Sequence, residues 1–181
     1  FGLHAVKAAI ENPYRRKHEL WISQNARTKV FGSLNTPSIP IFNLDKSKKL
    51  PISESKVHQG AILKVSPLKQ STEIHEISKT KRPKLVVILD KVSDPQNVGT
   101  IIRSSLFFNC DAIINSINGG SSENGSLVKA ASGAFEQVRY IQVTNIVQTI
   151  IKLKKNGYFV IGLDENSVDK ISSISKVKSD T

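Results

Sequence analysis

The sequence predicts an α/β protein in two parts: a small α/β module, then the first part of a parallel-sheet domain. Three observations carry this. Short apolar strands alternate with helical spacing along both parts. The apolar runs of the second part are continuous, as in strands buried on both faces. Between the parts lies a stretch with two prolines, many charges and few large apolar groups, residues 67–83, which reads as a linker.

In the first part, residues 1–66, Leu3, Val6 and Ile10 fall at helical spacing before the stop signal Asn12-Pro13. His18–Ser23, Ile39–Leu44 and Gln59–Val65 read as short strands. In the second part, residues 84–181, Lys84–Asp90 is a continuous apolar strand. A helix follows from Pro95 to about Asn109, with Val98, Ile101, Ile102, Ser105 and Leu106 facing inward. Asp111–Asn115 is a strand, 118–126 a Gly/Ser-rich loop, Leu127–Phe135 a short helix and Val138–Val143 a further strand. Asn145–Lys155 returns to helical spacing, and Tyr158–Leu163 is expected as a fourth buried strand. Such a rhythm implies right-handed crossovers. Beyond about Asp169 the chain is polar, either helix or loop.

Composition narrows the function. Hydrophobic residues make up 39% of the 181 positions, a globular proportion. The single cysteine, Cys110, excludes an internal disulfide framework. With no charged, apolar leader, this points to a reducing, cytosol-like compartment. No stretch approaches membrane-spanning length. The chain begins at Phe1, which suggests that the original start is missing or processed. The net charge is +11, and residues 1–83 hold 15 basic against 6 acidic side chains while residues 84–181 hold 11 against 9. A basic module beside a nearly neutral one suits contact with a polyanion, or equally a lysine-rich surface serving solubility.

The segment Leu89–Gly99 carries the most chemistry. Ligands of open parallel sheets gather beyond the carboxyl ends of the strands, where this segment falls. Asp94 is a good N-cap and Pro95 suits the first helical position. Asn97 lies in the first turn, among unpaired backbone N–H groups that attract phosphate. Pro95, Gly99 and Arg103 are spaced four apart. Gly99 admits either another backbone or a substrate beside Arg103, whose fork fits phosphate oxygens. The plainer alternative is a capped helix with Arg103 as an ordinary surface charge. GxGxxG and GxxxxGK[ST] are both missing, so the common dinucleotide and P-loop readings lack their fingerprints.

The string LDKVSDPQNVGTIIRSSLFF resembles the first motif of the SpoU branch of the SPOUT methyltransferases. Lys129–Glu136 (KAASGAFE) resembles a second segment of that branch, and Gly2–Val6 with the Val57–Gly60 turn resembles its L30e-like RNA-binding front module. The likeness covers about residues 2–165. It implies a Rossmann-like SPOUT (trefoil-knot) domain after an L30e-like module. The implied activity is transfer of a methyl group from S-adenosylmethionine to a ribose 2′-hydroxyl, without metal. The substrate it points to is a guanosine in 23S-type large-subunit ribosomal RNA. It also implies a homodimer in the cytoplasm, or alternatively the mitochondrial matrix.

Carried over residue by residue, Arg103 and Asn97 become the catalytic candidates. His58, Gln59, Asn124, Lys129 and Glu136 become RNA-contact candidates, with interfacial or structural roles open for Asn124 and Glu136. Trp21 reads as packing or as a base-stacking ring. Lys46, Lys48 and Lys49 read as a solvated face or as phosphate contacts. The branch's last two motifs, G-x-E-x-x-G and S-L-N-x-S, do not occur here. The expectation is therefore a chain that stops before the knot, its S-adenosylmethionine-binding positions lying beyond Thr181, and inactive alone. The remaining readings are a non-catalytic RNA-binding relative and an unrelated nucleotide-binding α/β protein.

Overall fold

The computed structural model describes residues 1–32, 36–47, 50–53, 55–68, 85–164 and 166–168. Most of the expected linker, the tail beyond Asp169, Lys48 and Lys49 lie outside them.

The first module runs α1 (Leu3–Glu11), β1 (Lys17–Ile22), α2 (Gln24–Phe31), β2 (Ile41–Asn43) and β3 (Ala61–Val65), with a short 3-10 turn at Leu44–Lys46. β1 is central, parallel to β2 and antiparallel to β3. Leu20 and Ile22 point to one face, where Val6, Ala26, Val30 and Phe31 of the two helices close the core. The sequence reading did not name α2. Its run Gln24–Phe31 is mostly polar, and what starts it is Ser23, whose side chain accepts from the Ala26 N–H.

The second module runs β4 (Val86–Leu89), α3 (Pro95–Phe107), β5 (Ala112–Ser116), α4 (Gly125–Ala130), a 3-10 turn (Ala134–Glu136), β6 (Tyr140–Val143) and α5 (Ile146–Lys155). The strands pair in parallel in the order β4-β5-β6. Alternate residues sort onto two faces. Leu89, Ile113 and Tyr140 meet α3 and the α4 region, while Ala112, Ile114, Ile141 and Val143 meet Leu153 of α5. Both faces are thus buried, which is why these strands read as continuous apolar runs.

Three expectations need correction. Tyr158–Leu163 forms no strand: Tyr158 packs into the α5 face, but Phe159 and Leu163 are 69% and 79% exposed. A strand exists only with a ladder partner. α5 lies on the face opposite α3, so a right-handed crossover would deliver this segment to the outer edge of β4. No ladder forms there. The Leu127–Phe135 helix is broken into α4 and a 3-10 turn, because Ser132 (φ 51°) and Gly133 (φ 92°) take left-handed conformations. Leu106 does not face inward with Val98, Ile102 and Ser105; it is exposed, and Ile101 is half-buried.

Candidate active site

Asp94 caps α3 as its sequence suggests, its carboxylate accepting from the Gln96 N–H at 3.1 Å with Pro95 in the first turn. Before it, Lys91 takes a left-handed backbone (φ 56°), an uncommon conformation for a lysine, and turns the chain sharply off β4. Asn97 and Arg103 are both exposed on α3, and neither side chain hydrogen-bonds or ion-pairs with any described residue. Six helical positions separate them, about 9 Å of rise and about 120° around the axis. They therefore converge only through a ligand that spans both.

Gly99 answers a question the sequence left open. A Cβ there would lie 2.5 Å from the Leu127 carbonyl oxygen and 2.6 Å from the Ala130 Cβ. The space beside it belongs to the backbone of α4 and not to a substrate. α3 and α4 thus pack at backbone distance at Gly99, and Arg103, one turn further along nearly the same stripe, is exposed beyond that contact.

The expected RNA-contact residues gather along a seam where the first module lies on α4. Asn124 caps α4, its Oδ1 accepting from the N–H groups of Ser126 and Leu127. The Lys129 ammonium donates to the Val57 carbonyl at 2.6 Å and sits over the Phe1 ring. Gln59, left-handed at φ 53°, accepts from the Leu3 N–H through Oε1, and His58 Nδ1 accepts from the Gly60 N–H. Glu136 is held by Arg15 and Asn12 of the first module.

Arg15 and Glu123 were not singled out from the sequence. Arg15 is 3% exposed. Its Nε donates to both Glu136 oxygens at 3.1 Å and its Nη2 to Oε1 at 2.6 Å. Nη1 donates to the Ser66 carbonyl at 3.0 Å and pairs with Glu123. Burial works against the guanidinium charge, but the hydrogen bonds and charges of Glu136 and Glu123 outweigh it and raise its pKa. Leaving such carboxylates without their cation costs about 3–5 kcal/mol. The pairing spans 121 residues, so no local pattern marks it; the one available signal was an arginine in a lysine-rich segment, where a planar fork is wanted.

Two cavities are large enough to bear on where a nucleoside-bearing cofactor could sit. One, about 320 Å³ in the seam, includes Arg15, Glu123 and Glu136, whose charged groups are already joined to each other. The other, about 280 Å³ beside β4, offers apolar groups with Thr100, Ser104, Ser105 and Cys110 and contains no carboxylate for a ribose diol or an ammonium group. Neither donor set fits S-adenosylmethionine. Burial, reinforced by Asp111, also pushes the Cys110 thiol up despite a hydrogen bond with Ser105. Among the described residues no group of His, Cys, Asp and Glu could hold a metal ion, and no helix is long and apolar enough to cross a membrane.

A parallel sheet whose first strand leads into a capped, arginine-bearing helix, with a basic module seated beside it, defines a two-module α/β protein. Comparison with known proteins specifies it. Residues 84–180 match the SpoU rRNA Methylase family and residues 1–71 match the RNA 2'-O ribose methyltransferase substrate-binding family. The chain belongs to the SpoU rRNA methylase family, whose members use S-adenosylmethionine as methyl donor.

Among its relatives, the 23S rRNA (guanosine-2'-O-)-methyltransferase RlmB of Neisseria meningitidis is 30% identical over 169 residues, covering 91% of this chain and 68% of the relative. A putative TrmH family tRNA/rRNA methyltransferase of Staphylococcus saprophyticus is 31% identical over 175 residues, covering 93% and 70%. The fold is shared with a putative TrmH-family RNA methyltransferase from Porphyromonas gingivalis (TM-score 0.62, 22% identity, 86% of this chain). It is also shared with the AviRb methyltransferase of Streptomyces viridochromogenes in complex with AdoMet (TM-score 0.62, 14% identity, 86% of this chain). The chain spans 58% of the length of each of those two solved chains.

Proposed function

We propose that this chain serves 2′-O-methylation of a guanosine ribose in 23S-type ribosomal RNA, with the outer side of α3 receiving the target nucleotide. The observation that carries the reading is Arg103: exposed, without a partner among the described residues, and six positions beyond Asn97 on a helix capped by Asp94. A guanidinium stays protonated in proteins, so it is a poor base for the 2′-hydroxyl. Its part is to grip the adjacent phosphate and stabilise the alkoxide as it develops. Asn97, in the first turn, orients the same nucleotide with the free N–H groups of the helix start. When bound, S-adenosylmethionine supplies the electrophilic methyl group.

The first module, up to residue 66, holds the RNA, and residues 84 onward form the catalytic part. In this reading Gln59 and His58, at the turn, face RNA, while Asn124, Lys129 and Glu136 hold the seam. The working form is a cytoplasmic homodimer. Labelled S-adenosylmethionine and ribosomal RNA, given to the natural protein that carries this sequence, test the assignment. Label should appear at a guanosine 2′-oxygen and vanish in a folded Arg103→Ala variant. Wild-type turnover in that variant would overturn the role of Arg103, and sedimentation as a monomer would remove the dimer.

A further inference from the structure

We propose that Arg15, through Glu123 and Glu136, fixes the orientation of the RNA-holding module against α3, and so acts as a positioning residue for methyl transfer. The proposal rests on the functional reading above. The one cation of this cluster, Arg15, comes from the first module and both carboxylates from the second. Arg15 follows α1, and Asn12, the C-cap of α1, adds a second donor to Glu136 at 2.7 Å. Glu123 directly precedes the N-cap of α4, and Glu136 sits in the 3-10 turn beyond it. One guanidinium thus grips the α4 region at both ends.

The chemistry suits orientation better than adhesion. An apolar seam of the same volume would hold the modules together about as well, since buried ions lose hydration. An apolar seam would also let them slide. A planar fork bonded to both oxygens of one carboxylate and to a second carboxylate permits one rotation only. Elsewhere the seam holds one single-point bond from the flexible Lys129 side chain to the Val57 carbonyl and one from the Leu68 N–H to Glu123, and otherwise close but non-directional packing. Gly133 lets α1 approach within 3.1 Å of the position a Cβ would take, and Gly125 lies under the Phe1 ring. Beyond the seam the path is short and stiff. α4 meets α3 at backbone distance through Gly99, and α3 carries Asn97 and Arg103. A rotation at Arg15 therefore displaces the RNA relative to Arg103 without altering either module.

Spin labels on the full chain test this, placed at Thr28→Cys in α2 and Gln148→Cys in α5 over a Cys110→Ser background; both positions are exposed. The distance distribution should be narrow with Arg15 present and at least twice as broad in Arg15→Met. Arg15→Lys, which keeps the charge but loses the fork, should fall between them. In methyl transfer by the natural protein, Arg15→Met should lower kcat at least tenfold while the Kd for ribosomal RNA stays within twofold. A distribution in Arg15→Met as narrow as in the parent chain overturns the proposal, whatever the activity. A broad distribution with unchanged kcat overturns the positioning role. Should Arg15→Met fail to fold, Glu123→Gln replaces it, and a narrow distribution with unchanged kcat there overturns the proposal. If the parent protein transfers no methyl group to RNA, the functional reading falls, and the distances alone decide the orientation claim.

Discussion

Tyr140 shows how much of the second module depends on one hydroxyl. It donates to the Ser121 carbonyl at 2.6 Å and accepts from Asn115 Nδ2 at 2.7 Å, both within the buried interior. Asn115 Oδ1 in turn accepts from the Ser116 N–H, and Gly120 passes so close that a Cβ would sit 2.1 Å from the Ser116 carbonyl. The hydroxyl thus ties the loop that leads to Glu123 and Asn124 onto the end of β5. Tyr140→Phe leaves a buried amide donor and a carbonyl unsatisfied, and should cost about 1–3 kcal/mol. For a chain of this size that lowers Tm by about 2–4 °C per kcal/mol, as thermal unfolding would show. Burial raises the Tyr140 pKa above its ordinary 10.0, only partly opposed by the Asn115 donor. The unfolded chain then loses this proton first. Stability is intact below pH 10.0 and declines as pH rises above it. Cys110, raised from 9.0, adds a decline that begins earlier. Urea midpoints should hold steady to about pH 8 and fall towards pH 11. A flat profile to pH 11 would remove this account.

Among the elements, α3 was the most legible and its contacts the least. Asp94, Pro95 and the Val98–Ile102–Ser105 spacing are local signals, and the structure repeats each of them. Its partner α4 was read too long, because Ser132 and Gly133 reverse the chain at a point where only the glycine hinted at it. α2 was missed, because a helix of Gln, Asn, Arg, Thr and Lys offers few apolar positions to count; Ala26, Val30 and Phe31 become its core face only once β1 is beneath them. Gly99 makes the clearest prediction at this scale. Gly99→Ala places a methyl group against backbone on α4, which cannot rotate away as a side chain would. Overpacking of this kind costs about 1–3 kcal/mol, against a gain below 1 kcal/mol from helix propensity. Unfolding should therefore show net destabilisation, and an Ala variant as stable as the parent would mean that α3 and α4 separate easily. Asp94→Ala should cost about 1 kcal/mol through the lost cap alone.

At the scale of the molecule, the parallel sheet followed from the continuous apolar runs. The seam did not. Arg15 meets partners more than a hundred residues away, and a sequence holds no record of which charges meet. Its burial changes how the basic charge of the first module should be understood. Arg15 is neutralised within the fold, whereas Arg16, Lys29, Lys46 and Lys56 remain exposed, and Arg103 is exposed on α3. If these five cations meet phosphates of single-stranded RNA, the affinity should fall with log salt at a slope of about −3.5, or about −0.7 per contact. Between 50 and 200 mM salt the loss is then about a hundredfold. Arg103→Ala should flatten the slope by about 0.7. Lys155→Ala should leave it unchanged, because α5 covers the opposite face of the sheet from α3. Filter binding of a ribosomal RNA fragment across that salt range measures all three slopes. Equal slopes for the parent and Arg103→Ala would mean that the phosphates stop short of α3, and that RNA reaches the first module without reaching the candidate active site.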